Sequence, residues 1–352
     1  MFTILDRYIC RLFSKTTFLT LCILVSFSSI AKFADKIQKI KDTNLSFLNI
    51  IWLTILSFPN DIEELFPIII LISSLWSITN LERNNELIAI ELSGISRIQI
   101  FASILKTIFM FLMLYIIIVE CIIPKNQKIE YRYLVSKSEY PRDFKKQNLW
   151  IKNKNNFIFI QDVINFNNLS KISIYTINQQ NQIKNIYYVN SAIYSNKHWI
   201  LYNIQKIKIS DTNIITFKKC EKIFRNSDLI PTIIRSAILP PDTLSILDLY
   251  YYINYLKNND QIYEKYQVIF WNKILAPVFI FTMMVTNLQM IFGKLYNSNI
   301  KIKILFGISL GFLFYFLKNI FNSISIIYSI PASIGSILPV FILIIINLII
   351  KK

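Results

Sequence analysis
Residues 81–97 read LERNNELIAIELSGISR. Long apolar runs lie on both sides, so this charged interval is an element set between two membrane spans rather than a domain. It carries Glu82, Arg83, Glu86, Glu91 and Arg97. Leu87, Ile88, Ile90, Leu92 and Ile95 recur at spacings of three and four, which predicts a short amphipathic helix with these residues gathered on one side. Ser93-Gly94 ends the pattern, because Gly readily takes the backbone conformation that closes a helix. Such a helix has little of its own chain to bury against. Two readings fit it: a docking element for a soluble partner, or a solvated cytoplasmic loop lying on the lipid surface.

Outward from this element the chain is a membrane protein. Of 352 residues, 54% are hydrophobic and the mean hydropathy is +0.45. The excess is concentrated in runs too long for a soluble core. The spans predicted are Leu12–Phe33, Ile50–Asn80, Ile98–Ile123, Tyr266–Phe292, Ile302–Phe321 and Pro331–Ile350. The second exceeds the roughly 20 residues a bilayer needs and contains Pro59 and Pro67, so a tilt, a kink or an extension beyond the membrane is expected. Pro124 is expected to close the third. The N-terminus has Arg7, Arg11 and Lys15 before an apolar run from Thr16 to Ala31 but no clean small-residue cleavage site, and more spans follow, so it reads as a span rather than a signal peptide. Gly307 and Gly311 form GxxxG in the fifth span, a weak sign of close helix packing.

Residues 125–259 hold no run able to cross a bilayer. Residues 156–164, 171–178, 183–194, 199–210 and 212–218 are short, rich in Ile, Tyr and Phe, and partly alternating. Turns such as NQQNQ (178–182) and SNK (195–197) separate them. The pattern predicts an inserted antiparallel β domain, a sandwich or half-barrel. At Pro240-Pro241 it gives way to an amphipathic helix over 244–257, with Asp242 or Thr243 as the expected cap. The organisation read is therefore spans one to three over 1–124, with the helix at 81–97 between the second and third. The β domain with its connecting helix takes 125–259, and spans four to six 260–352.

The net charge is +17, and the abundance of Ile, Asn, Lys, Phe and Tyr is what AT-rich coding produces, so the placing of lysines says more than their number. In an integral membrane chain a basic balance points to anionic lipid or an acidic substrate, and no nucleic-acid partner is expected. With the N-terminus inside, Arg7, Arg11, Arg83, Arg97, Lys294, Lys301, Lys303, Lys351 and Lys352 are cytoplasmic, the loop at 322–330 has no Lys or Arg, and the β domain lies outside. The exception is the first outer loop with Lys32, Lys36, Lys39 and Lys41. Lys32, Lys36 and Lys39 share one face if the helix continues upward, and would form a phosphate-attracting rim. AT-rich coding that scattered lysines among lipid headgroups is the plainer account.

Enzyme chemistry is not expected. The single His198 cannot ligate a metal alone, Cys10, Cys22, Cys121 and Cys220 form no CxxC pair, and five glycines yield no GxxxxGK[ST], so neither metal nor cofactor is predicted. Three spans, an outer domain and three more spans make a two-halved membrane subunit that opens and shuts. Its power must come from an ion gradient or a partner. Glu120, Lys106 and Lys318 lie toward span ends or isolated, unlike the buried charges of gradient-driven carriers, which favours an ATPase docking on 81–97.

The sequence resembles the permeases of the bacterial lipopolysaccharide exporter, the LptF/LptG family. LDRYI at 5–9, SxxxKFxDK at 28–36, SGISR at 93–97, LWIKNKNNFIFI at 149–160, LPPDTLSI at 239–246, YLK at 255–257 and GISLGFLFYFLKNIF at 307–321 carry the resemblance. The first and last are the most specific and set the chain on the side of the family that pairs with LptF. The resemblance implies six transmembrane helices with an inserted periplasmic jellyroll-like all-β domain, in the bacterial inner membrane. It implies an ABC exporter in which LptF is the second permease, an LptB dimer hydrolyses ATP beneath, and LptC lays a helix beside the first span. Lipopolysaccharide would pass from the inner membrane to a periplasmic bridge toward the outer membrane. The family's ATPase-coupling glutamate falls on Glu86, within a coupling set of Arg83, Glu86, Gly94 and Arg97. Its outer-loop lysines fall on Lys32 and Lys39, with Lys36 and Lys41 near a further position that reads Gln38. Phe66, Phe312 and Phe316 are the candidates to hold acyl chains. The family's basic pair after span three reads Tyr131 and Leu134, leaving Arg132 close by. A gradient-driven lipid flippase, or a non-transport envelope protein whose β domain binds a periplasmic partner, are the alternatives.

Overall fold
The computed structural model describes residues 4–40, 47–137, 146–178, 180, 182–209, 215–225, 229–293, 299–328 and 330–351. Lys41, Lys294 and Lys352 lie outside these residues, as does the start of the segment at 212–218. Lys36 and Lys39 are described in backbone only. The chain divides into a helical unit, Met1–Asp35, Thr54–Ile123 and Gln267–Lys352, and a second unit, Lys36–Leu53 and Pro124–Tyr266.

Six helices among the described residues are long and apolar enough to cross a membrane, which makes this a multi-pass membrane protein. They comprise α1 (Ile4–Ile40), α2 (Phe47–Arg83), α4 (Arg97–Ile117) with its continuation, α8 (Glu264–Phe292), α9 (Ile300–Ile327) and α10 (Ala332–Lys351), while α3 is the short Glu86–Leu92. The unit's core joins Phe13 of α1, Phe66 and Leu71 of α2, Ile108 of α4, Met283 of α8, Phe314 of α9 and Leu343 of α10. Hydroxyls add to the apolar contact: Thr16 and Ser77 share a 2.7 Å hydrogen bond between α1 and α2, and Thr16 also donates to the Ser73 carbonyl. Helix α2 keeps its course through Pro59 and Pro67. Neighbouring helices and hydroxyls make such prolines tolerable inside a membrane bundle.

Two boundaries differ from the sequence reading. Helix α1 continues past Phe33 to Ile40, so Lys36 and Lys39 are helical positions above Lys32. The third span is not closed by Pro124: a π turn at Ile118–Ile122 leads into α5 (Ile123–Lys137). The π turn widens the hydrogen-bond ladder ahead of the proline, which relieves the clash of its ring with the carbonyl four residues back.

In the second unit, β1 (Lys146–Asn153), β2 (Asn156–Asn165), β3 (Asn168–Ile177), β4 (Ile183–Ser195), β5 (His198–Ile209) and β6 (Ile215–Arg225) form one antiparallel meander in that order. The described strands make one sheet, not the two faces of a sandwich. Strand β1 was not among the predicted segments. Its hairpin to β2 turns at Lys154, with φ of 53°, and Trp150 lies against Phe159 and Tyr175. The β4–β5 turn is a two-residue loop with both Asn196 and Lys197 at positive φ, the geometry that matches strand twist. One face of the sheet buries Ile158, Ile160, Ile172, Ile174, Val189 and Leu201 at alternate positions. Helices α6 (Pro231–Ile238) and α7 (Ile246–Asn258) cover it with Ile233, Ile234, Tyr252, Tyr255 and Leu256. Trp199 donates its indole N–H to the Leu229 carbonyl, Tyr255 its hydroxyl to Lys152, and Arg235 of α6 pairs with Asp248 of α7. The cap of α7 is Ser245, not Asp242 or Thr243. Pro241–Thr243 form a 3-10 turn and Leu244 is extended, so the first free helical N–H groups come later.

Candidate functional site
At one end of the helical unit stands the element quoted first. Helix α2 ends at Arg83, the chain reverses at Asn84-Asn85 with Asn85 at φ of 55°, and α3 begins at Glu86. Gly94 closes it at φ of 88°, which favours glycine, and Ser96 with Gln99 boxes the start of α4. The helical stretch is shorter than the sequence predicts, and its apolar residues are split. Leu87 is buried and Ile90 and Ile95 pack on the core, but Ile88 and Leu92 are exposed. A seven-residue helix offers one face to the bundle, and these two residues point away from it. Glu86 accepts from the Tyr8 hydroxyl of α1 and, at 3.1 Å, from Asn84. Arg97 pairs with Glu91 at 2.8 Å, and Arg83 is exposed. Beneath them, Lys303 of α9 meets Glu82 at 2.7 Å with both side chains largely buried, and Lys106 of α4 meets the buried Asp6 at 2.9 Å. These pairs join α2 to α9 and α1 to α4 at the root of α3.

The opposite end carries a second set of charges. Lys32, Glu63, Lys273 and Lys318 each lie 18–21 residues from Arg11, Arg83, Phe292 and Ile300 respectively, or about 27–32 Å at the rise of an α-helix. That is about the thickness of a bilayer's hydrocarbon core. Lys32 of α1 pairs with Asp61 of α2, whose side chain is fully buried, and Glu64 stands 3.7 Å away. Lys273 of α8, 5% exposed, lies 3.4 Å from Glu63. Lys318 of α9 holds its ammonium 5.3 Å from the Phe279 ring centre and within electrostatic reach of Glu63.

Sequence reasoning selected Lys32 and missed its partners. It took Lys106 and Lys318 as lying toward span ends or isolated; each has charged or aromatic neighbours from another helix. The signal was legible in PNDIEELFP, residues 59–67. Three carboxylates within an apolar run are costly in a bilayer without partners. Phe66 is a core residue, packed at a tilt against Tyr115 with ring centres 4.6 Å apart, and presents no open face. Phe312 and Phe316 are exposed on α9, and Phe312 borders a narrow apolar cleft with Pro67, Leu71, Met283 and Tyr315. Gly307 and Gly311 set α9 against α2, where an added Cβ would collide with Leu75 and Leu71. Among the described residues, no group of His, Cys, Asp and Glu is placed to hold a metal ion.

The profile of the family described as "Lipopolysaccharide export system permease LptF/LptG" matches residues 7–352. This chain belongs to the LptF/LptG permease family. It is 32% identical over 342 residues to the lipopolysaccharide export system permease protein LptG of Escherichia coli strain K12, covering 96% of this chain and 95% of that protein. It is 31% identical over 353 residues to the LptG of Haemophilus influenzae, with the same coverage. Six spans and an inserted antiparallel β domain are the architecture expected of an LptF/LptG chain. Tyr131, where the resemblance leads one to expect a cation, stacks on Phe166 with ring centres 5.0 Å apart, an aromatic contact from α5 to the β2–β3 turn. Arg132 beside it is exposed, and the Leu134 side chain lies outside the described residues.

Proposed function
We propose that this chain is a permease subunit of an ABC exporter that extracts lipopolysaccharide from the inner membrane and passes it to a periplasmic bridge toward the outer membrane. The observation that carries this reading is likeness to two lipopolysaccharide export permeases along almost the whole chain, spans and β domain together. On this reading α3 faces the cytoplasm and the β domain the periplasm, LptF is the second permease, and LptC adds a helix beside α1. An LptB dimer docks on Arg83, Glu86, Gly94 and Arg97 and turns over ATP; this subunit performs no covalent step and needs no cofactor of its own. The far-end cations lie at the level of the outer leaflet's phosphates. Lys32, Lys36, Lys39 and Lys41 attract those phosphates, and Phe312 and Phe316 meet acyl chains. The test is the complex purified through this chain: it should contain an ATPase and bound lipopolysaccharide, and an ATPase-free preparation that still moves the lipid would overturn the reading.

One observation favours the gradient-driven alternative. Glu63 and Lys273 are charged groups packed inside the bundle, as in ion-coupled carriers. Transport in vesicles separates the two: the exporter requires ATP and survives an ionophore, and a carrier behaves the other way.

A further inference from the structure
Two ammonium groups gather about Glu63. Lys273 of α8 and Lys318 of α9 both lie near it, as does the phenol of Tyr115 on α4. Lys273 is nearly buried, yet its Nζ makes no hydrogen bond among the described residues and only stands 3.4 Å from the carboxylate. An ammonium out of water is costly unless its N–H groups are met. Lys318 has a ring face on one side, and α9 is open beside it at Leu313, Phe316 and Ile320. One to three turns inward the same helices are apolar, at Tyr315, Leu71 and Met283. The result is a pair of ammonium groups above a hydrocarbon-like interior, with the Lys273 N–H donors unmet among the described residues.

We propose that Lys273 and Lys318 form an anion site that takes a phosphate group, with Glu63 as the resident counter-ion that the phosphate displaces. This site is separate from Lys32, which Asp61 and Glu64 already hold. The phosphate belongs either to a lipid headgroup or to free inorganic phosphate; naming lipid A as the headgroup rests on the exporter reading above. Glu63 competes with the ligand for both cations, so its removal should strengthen binding, whereas a purely structural ion pair would be weakened from either side.

The experiment titrates the intact complex, in detergent, with bis-phosphorylated lipid A, dephosphorylated lipid A, phosphatidylglycerol and inorganic phosphate. Lys273→Gln and Lys318→Gln should each weaken bis-phosphorylated lipid A about fivefold, the worth of one lysine near an anionic surface. Glu63→Gln should tighten it by a similar factor, Lys273→Arg should bind as wild type, and dephosphorylated lipid A should not respond. Competition by millimolar inorganic phosphate assigns the site to the free ion; its failure to compete assigns it to a headgroup. If wild type ignores lipid A but phosphatidylglycerol follows the same pattern, the anion site stands and the exporter reading falls. If all variants bind lipid A as wild type does, the anion site is wrong and the exporter reading stands. Equal weakening by Glu63→Gln and Lys273→Gln, with equal loss of thermal stability, would also overturn it. Should Lys273→Gln or Lys318→Gln fail to assemble, the direction of the Glu63→Gln effect decides; should Glu63→Gln fail, the two lysine variants decide, measured against Lys273→Arg.

Discussion
At Glu86 the carboxylate is engaged before any partner arrives, by Tyr8 and Asn84. These bonds aim the side chain at the root of α3 and leave it half-buried. A charge-assisted contact to a basic residue of the ATPase is worth about 1.5–3 kcal/mol when partly desolvated. Glu86→Ala should therefore lower ATP-coupled transport or ATPase retention, while Tyr8→Phe, which removes one bond at the surface, should stay near wild type. Normal transport by both Glu86→Ala and Glu86→Lys would end the coupling role. At Lys32 the neighbours decide how a test must be built. Lys32→Asp leaves the buried Asp61 facing another carboxylate, so stability falls along with any loss of lipid capture. The expected loss is about 2 kcal/mol, below the about 3–5 kcal/mol of a fully buried pair, because Lys32 itself is over a third exposed. Lys32→Asp combined with Asp61→Asn should recover the melting temperature of the complex but not its crosslinking to lipopolysaccharide. Recovery of both would remove Lys32 from the phosphate rim.

Among elements, α9 comes close to α2 through the absence of side chains at two positions. A Cβ at Gly311 meets Leu71 and one at Gly307 meets Leu75. Gly311→Leu should separate the helices or strain them, at about 1–3 kcal/mol for overpacking. Gly311→Ala paired with Leu71→Ala should be milder than the sum of the two single changes, because the contact is shared. Thermal unfolding of the complex measures this; strict additivity would mean the helices do not touch there. The GxxxG pattern alone left this contact undecided, since such spacing also arises by chance among apolar helices. The partner leucines, Leu71 240 residues before Gly311 and Leu75 232 residues before Gly307, are what settle it.

For the whole molecule, the missing phosphate-cradling loop sets a further expectation: the purified chain alone turns over no ATP, and turnover appears only on adding the partner ATPase. Nucleotide hydrolysis by the chain alone, with contaminants excluded, would contradict this. The Lys303–Glu82 pair ties α9 to the end of α2 that leads into α3, and the Lys106–Asp6 pair ties α4 to α1, so helices of both halves of the bundle are linked near α3. Lys303→Gln should then reduce coupling, read as ATP consumed per lipid moved, more than it reduces ATPase retention.

Membrane spans, the inserted β domain and the breaks at Gly94 and Pro240 were determined by the sequence itself, because hydrophobic run length and backbone preference are local properties. Strand β1 escaped it because a short polar segment such as KQNLWIKN becomes a strand only when β2 supplies its ladder. The passage of the third span through Pro124 escaped it because the π turn that makes room is a cooperative adjustment of the helix. Lys32 could be chosen from its place on the charge map. Its engagement by Asp61, the convergence of Lys273 and Lys318 on Glu63, and the burial of Phe66 against Tyr115 were decided by tertiary structure alone. Charges on different helices meet only through the rotation and depth at which those helices pack, and no single stretch of sequence encodes that.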